Sequence, residues 1–370
     1  MSTNAVMTSF EDTKQKRDAL VERLLESASS TMNLFTIHLG DQLGFYNILA
    51  EAGPMTAREL AARSGTNERY VREWLEQQTV SGILDVEDDG VENGRHRFYL
   101  PVGHEEVLSD RDSLNYLAPL TQLVAGVVSP FSKVVTAFRT GSGVSFSEYG
   151  KDLREGQARM NRAMFLTELG RDWLPAVEDV HQRLLADPPA RVADFGCGAG
   201  WSSIGIARSY PNALVDGFDL DSPSIAMART NVEESGVADR VDVRVRDAGD
   251  VELAGKYDLV TAFECIHDMS NPVEALRTMK RLVNDGGAVL VVDERVGESF
   301  TRTGNDVESL MYGFSVLHCL PAGMVEQPSA ATGTVMRPNI LRRYALEAGF
   351  GDVETLPIQS FFFRFYRLIP

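Results

Sequence analysis

Between residues 188 and 294, short apolar runs alternate with helical periodicities, and each run empties into glycine or an acidic residue. "ARVADFGCG", "ALVDGFDL", "RVDVRVRD", "KYDLVTAFE" and "GAVLVVDE" have the composition of strands. A near-continuous apolar run marks a strand buried on both faces. "WSSIGIARSYP", "SPSIAMARTNVEESG" and "NPVEALRTMKRLVNDGG" lie between them as helices. The last has Pro272 in its first turn, a capping pair Asn271/Glu274 and an expected stop at Gly286. Strict alternation of this kind leaves a parallel, doubly wound sheet as the α/β fold for residues 188–370, with its ligand site at the carboxyl ends of the strands.

The first hundred residues follow a different pattern. Thr56 and Glu59 form a capping box for a helix that stops at Gly65. Tyr70, Val71, Trp74 and Leu75 are expected to form the apolar stripe of the next helix, and "ILDVEDDGVENGRHRFYL" reads as two strands around a glycine-containing turn. This pattern resembles a winged helix, so residues 1–110 are expected to form an N-terminal domain for dimerisation or closure. Residues 111–187 are expected to be a helical connector contributing to an acceptor pocket. Between Phe45 and Leu100 there are six arginines against ten acidic residues, and the wing carries "DVEDDGVE". A DNA-reading winged helix concentrates positive charge on these elements. Together with a net charge of −17 for the chain, that argues against nucleic acid and anionic membrane surfaces as partners.

Three cysteines, Cys197, Cys265 and Cys319, are too far apart for a disulfide framework or a metal finger, which suits a reducing compartment. The N-terminus has neither the basic nor the apolar region of a signal peptide, so a cytoplasmic location is expected. Residues 113–132 carry no charge, but Pro119, Pro130 and several polar residues leave no apolar stretch long enough to span a bilayer; a buried helix is expected there. No His/Asp/Glu cluster has ligand spacing, so no metal is expected.

"ADFGCGAGW" places Asp194 at the end of the first strand, followed by Gly196, Gly198 and Gly200. Glycines at this point let a ligand approach the backbone at a helix N-terminus. The dinucleotide fingerprint requires glycine at 201, where this chain has Trp201, and a P-loop requires G-K-S/T, which is absent. Asp219 ends the second strand, nineteen residues beyond Gly200, placed to accept from two ribose hydroxyls; Asp247-Ala248 end the third, where a carboxylate can take an adenine amino group. Three carboxylates at successive strand ends make a nucleoside site the stronger reading over three loop caps.

The series "DFGCGAG…GFDLD…RDA…YDLV…HDM…NDGGAVLVVDE" resembles the class I S-adenosylmethionine-dependent methyltransferases over roughly residues 190–370. The terminal "VETLPIQSFFFRFYRL" is similar to that family's final antiparallel hairpin. With the winged-helix start, the chain resembles the two-domain small-molecule O-methyltransferases of plants and bacterial natural-product pathways. The resemblance implies a Rossmann-like, seven-stranded core, S-adenosyl-L-methionine as cofactor, a small and largely apolar acceptor, and a homodimer. It also implies that Asp194, Gly196, Gly198 and Gly200 surround the methionine part of the donor. Asp219 and Leu220 would hold the ribose, Asp247 and Ala248 the adenine, and Phe263 would lie beside the sulfonium.

His267, in "ECIHDM", follows the fourth strand. The plant-type relatives have a similar "HDW" whose histidine is a general base, so His267 is expected to take a hydroxyl proton, titrating near ~6.5. Glu168 is the competing base, on a helical stripe with Met164 and Phe165; that alternative suits carbon methylation of an isoprenoid or electron-rich ring. Arg295, Arg302 and Arg337 are available should such an acceptor carry phosphate. The segment 295–336 is a long connection expected to act as a lid, with Met311 and His318 as acceptor contacts beside Glu264, Met164 and Phe165. A regulator that senses the donor through its winged helix is the alternative of another class.

Overall fold

The structure is a computed structural model describing residues 3–87 and 96–370. It divides into two compact units, Met1–Gln122 and Leu123–Pro370. The first begins with a 40-residue helix, α1 (Thr3–Gln42), followed by α2 (Phe45–Ala52), α3 (Ala57–Ser64) and α4 (Glu68–Val80). A short antiparallel pair, β1 (Asp85–Val86) and β2 (Phe98–Tyr99), and then α5 (His104–Leu108) complete it. The capping box forms as expected: the Thr56 hydroxyl accepts from the Glu59 amide while the Glu59 carboxylate accepts from the Thr56 amide. Gly65 ends α3 in the left-handed region. The stripe on α4 is Val71, Trp74, Leu75 and Gln78; Tyr70 is solvent-exposed, one position off the buried face. The tip of the expected hairpin lies outside the described residues.

The uncharged stretch becomes two helices, α6 (Ala118–Val128) and α7 (Phe131–Thr140), bent by 51° at the intervening break. Among the described residues no single helix is long and apolar enough to cross a membrane. Next come α8 (Gly150–Glu168), which runs into a wide turn at Leu169–Trp173, and α9 (Glu178–Leu185).

The remaining chain builds one sheet. Its strands are β3 (Arg191–Phe195), β4 (Leu214–Asp219), β5 (Val241–Val245), β6 (Tyr257–Phe263), β7 (Val283–Glu294), β8 (Asp352–Thr355) and β9 (Phe363–Ile369). They lie in the order β5-β4-β3-β6-β7-β9-β8, parallel except for β9, which runs antiparallel to both of its neighbours. The order reverses between β3 and β6, and a crevice at the carboxyl ends there is where ligands enter open α/β sheets. Connecting helices are α10 (Trp201–Ser209), α11 (Ser222–Glu234) and α12 (Pro272–Leu282), with α13 (Asp306–Phe314), α14 (Leu320–Gly323) and α15 (Pro338–Glu347) after β7. Helix α12 ends at Leu282, not at Gly286: the "NDGG" run belongs to the irregular start of β7, where Gly286 takes φ 80° and the register with β6 shifts.

Side chains alternate across β3. Val192 joins the core under α10 and the wide turn after α8, whereas Ala193 and Phe195 join the core under α12 and α15. The first of these cores depends on α8 and α10 approaching each other at Gly205, where an added methyl would stand 2.3 Å from the Phe165 carbonyl oxygen. A backbone atom cannot step aside as a flexible side chain can. Gly205→Ala is therefore expected to destabilise the C-terminal unit by about 1–3 kcal/mol, the usual cost of overpacking; urea unfolding followed by tryptophan fluorescence measures it.

Candidate active site

At the crevice the loop from Gly196 to Gly200 links β3 to α10. Gly196 takes φ 66°, and a methyl there would meet the Cys265 side chain at 2.7 Å, so the position excludes any side chain on two counts. The loop is pinned from below by Asp194, which is fully buried and accepts from the Ser202, Ser203 and Thr261 hydroxyls at 2.6, 2.7 and 2.8 Å. Burial raises its carboxyl pKa, against the lowering effect of those three hydroxyls. From the side, Asp219 accepts from the Gly198 amide at 2.9 Å and the Asp221 amide at 2.8 Å. Each of its oxygens keeps a further lone pair for a ligand.

Above the loop opens a cavity of about 930 Å³, at the upper end of the range for small-molecule sites. Gly196, Gly198, Asp219, Leu220, Asp247, Ala248, Phe263, Glu264 and Phe165 all line it, so most residues singled out in the sequence are brought together. Asp194 is an exception and a correction: it lies beneath the loop rather than on the cavity wall. Gly200 sits at the loop's far end as the α10 cap, where an added methyl would stand 3.1 Å from Ala228 Cβ.

The wall also holds groups that sequence reasoning missed. Arg154, from α8, makes a nearly buried ion pair with Asp221, its Nε 2.5 Å from a carboxylate oxygen. Asn161, a further two turns along α8, donates to Glu264 Oε1 at 3.2 Å. Arg154, Ala158 and Asn161 recur at helical spacing with the expected Phe165 on one face of α8, a periodicity that could have flagged them. The 295–336 segment does reach the wall, but through Ala322, Val325 and Glu326.

Several expected contacts are absent from that wall. Met311 packs with Val296 and Val307 in a small core of its own. His318 is buried edge-on to Tyr149 and Phe146, and burial lowers its pKa. Met164 packs against the core under α10, and Glu168 lies in the last turn of α8, its pKa raised by partial burial and by Asp172. The arginines proposed for phosphate do not line the cavity either, and Arg337 is committed to Glu308 at 2.9 Å.

His267 requires the largest correction. It is only 2% exposed and does not line the cavity. Its Nδ1 stands 3.0 Å from both oxygens of Asp293 and 3.4 Å from Glu294 Oε2, and its Nε2 stands 3.4 Å from Asp268 Oδ1. Burial alone favours the neutral ring, but the three carboxylates outweigh it and push the pKa well above its ordinary value. An imidazolium held in this way has no free lone pair, so a base titrating near ~6.5 does not fit this geometry.

Glu264 shows the converse. Burial, with Asp293 and Asp268 nearby, raises its pKa to about 7 despite the opposing His267 charge. Its backbone is in the left-handed region at φ 52°, uncommon for a residue with a side chain.

Residues 186–336 match the family model described as a methyltransferase domain, and residues 30–110 match the Rv2258c-like winged HTH domain. The C-terminal unit thus carries a methyltransferase domain. Its domain class takes its methyl group from S-adenosyl-L-methionine. Among curated relatives, the chain is 37% identical over 103 residues to a ubiquinone biosynthesis O-methyltransferase of Pseudomonas aeruginosa, covering 27% of this chain and 43% of that one. It is 30% identical over 168 residues to the enzyme of that name from Aromatoleum aromaticum, covering 45% and 66%. The chain thus spans less than half the length of the first of these relatives. Among solved structures, human N-acetylserotonin methyltransferase in complex with its donor superposes with a TM-score of 0.71 at 18% identity, covering 94% of this chain and 97% of that one. The mitomycin 7-O-methyltransferase MmcR gives 0.69 at 19%, covering 96% and 99%. At these identities the likeness shows the fold.

The raised His267 pKa fixes a sign. Its stabilising contribution is complete below the unfolded value of ~6.5 and is lost as the pH rises through the higher folded value. Unfolding free energy, measured by urea titration from pH 6 to pH 9, is expected to fall across that window in the wild type. His267→Gln should flatten the slope while lowering stability at pH 6.

Proposed function

We propose that this protein transfers a methyl group from S-adenosyl-L-methionine to a hydroxyl of a small, largely apolar acceptor. The observation that carries this reading is the Asp219 carboxylate, held by two backbone amides at the second strand's end and opening into a cavity roomy enough for donor and acceptor together. Asp219 with Leu220 would hold the ribose, Asp247 with Ala248 the adenine, and the Gly196–Gly200 loop the methionine part. When bound, the donor supplies an electrophilic methyl on a sulfonium. The protein's task is then chiefly alignment, which is worth up to ~7–11 kcal/mol, against ~3–5 kcal/mol for a proton acceptor.

Phe165 and Phe263 stack edge to face at 5.3 Å on the wall, and Phe146, Met269 and Val325 continue the apolar lining, which supports an apolar acceptor. The Arg154–Asp221 pair closes the wall near the ribose position. His267 supplies a fixed positive charge that balances Asp293, Glu294 and Asp268 behind it.

The N-terminal unit is read as an assembly domain. Leu20, Val21, Leu24 and Leu25 are about half or more exposed on consecutive turns of α1, with Met32 and Leu39 further along. That face suits a second copy of the chain. Leu24→Glu with Leu25→Glu is expected to yield monomer in sedimentation velocity; a dimer unchanged by both substitutions would count against this face.

Asp219→Ala is expected to cost about 1.5–3 kcal/mol of donor affinity for each charged hydrogen bond removed. Isothermal titration with S-adenosylhomocysteine measures this, with circular dichroism to show that the variant is folded. Unchanged affinity would remove the ribose assignment.

A further inference from the structure

One carboxylate on the cavity wall, Glu264, is carried on left-handed backbone. Glu264 follows β6 directly; its amide donates to the Val292 carbonyl at 2.8 Å, which fixes the residue to the neighbouring strand. Its φ of 52° turns the chain there, and one other described non-glycine residue, Ala331, has a positive φ. Positive φ on a residue with a Cβ is costly and persists where the surroundings over-determine it, as they do at functional sites. Here the surroundings are the β7 carbonyl below and the Asn161 amide across the cavity, which orients the carboxylate by its Oε1. Among the described residues, the charged groups that act on Glu264 are His267, Asp268 and Asp293.

The charges around it are unbalanced. Facing Glu264 are His267 and Asp268 from its own segment and Asp293 and Glu294 from β7, with the neutral Asn161 from α8. His267 is the one cation of this group, and its ring already faces the other three carboxylates. A half-buried carboxylate on a cavity wall, with other carboxylates beside it, is pushed toward its protonated form. Such a group releases that proton when a cation arrives beside it and recovers basicity when the cation is discharged.

We propose that Glu264, held on the cavity wall by its left-handed backbone and the Asn161 amide, is the group that takes the acceptor's proton. This rests on the methyl-transfer reading above. In the reaction a bond forms between the acceptor oxygen and the methyl carbon. The carbon–sulfur bond breaks with its electron pair left on sulfur, and the hydroxyl proton passes to a Glu264 oxygen. Loss of the sulfonium charge in that step makes the carboxylate a stronger base as the proton leaves the acceptor. Glu264 is thereby returned to the protonated form from which the next cation displaces the proton to solvent.

The pH at which this operates follows from the raised pKa of about 7 in the free protein. At pH 7 about half of the molecules carry the proton. Binding of cationic S-adenosylmethionine is expected to release about half a proton, read as the dependence of calorimetric enthalpy on buffer ionisation enthalpy. S-adenosylhomocysteine, which lacks the sulfonium charge, should bind without that release. In Glu264→Gln the release on S-adenosylmethionine binding should vanish while S-adenosylhomocysteine affinity stays within about threefold. The same variant should unfold at an equal or higher Tm at pH 8, because a carboxylate repelled by Asp268, Asp293 and Glu294 is gone; a merely structural glutamate would give a lower one. Donor binding to the wild type without proton release, or release undiminished in Glu264→Gln, overturns the proposal while leaving the donor site standing. Failure of both ligands to bind the wild type overturns the donor site itself.

Discussion

The placement of the glycine loop depends on one buried carboxylate with three hydroxyl partners. Asp194 draws together the end of β3, the first turn of α10 and the middle of β6 through Thr261, Ser202 and Ser203. Two of the bonds reach α10 and the third reaches β6, and leaving any partner unpaired in that interior would cost about 1–3 kcal/mol. Because the loop rests on this knot, its amides are pre-positioned and Asp219 can grip one of them at Gly198. The cavity floor is therefore built before any ligand arrives, and little ordering is left to offset binding.

The cavity wall near the fourth strand has the opposite character. Glu264, Asp268, Asp293 and Glu294 gather around a single imidazolium, and burial with mutual repulsion raises the carboxyl pKa of Glu264 and of Glu294. Clustering like charges on a partly buried wall works against stability. It prepares a region that gains when a positive charge is brought in. A sulfonium donor brings one, and an excess of carboxylate here lets the protein couple donor binding to proton movement. The rigid loop and the unbalanced wall thus divide the work: one fixes position, the other responds to charge.

The sheet was legible because its central strands are buried on both faces, so "ARVADF" and "KYDLVTAF" read as unbroken apolar runs ended by glycine or acid. The cavity-lining residues Asp219, Asp247 and Ala248 follow from strand ends alone. Burial of Asp194 was not readable in the same way, since the third of its partners, Thr261, lies 67 residues away. His267 invited a catalytic reading because the carboxylates that lock it come largely from β7, 26 residues on, and no local pattern reveals them. Glu264 gave no sign of its left-handed backbone, a conformation that glycine or asparagine would have advertised. Met311 and His318 are apolar-segment residues whose helical spacing is equally consistent with core and with pocket; the fold assigns them to core.

The central claim is that the donor lies over the glycine loop with its reacting sulfur toward Phe263 and Glu264. A crystal structure with S-adenosylhomocysteine bound tests it most directly. The account predicts both ribose hydroxyls within hydrogen-bonding distance of the Asp219 carboxylate, adenine beside Asp247 and Ala248, and the thioether sulfur facing the Phe263–Glu264 peptide. Density for the ligand elsewhere, or with its ribose turned away from Asp219, would contradict it.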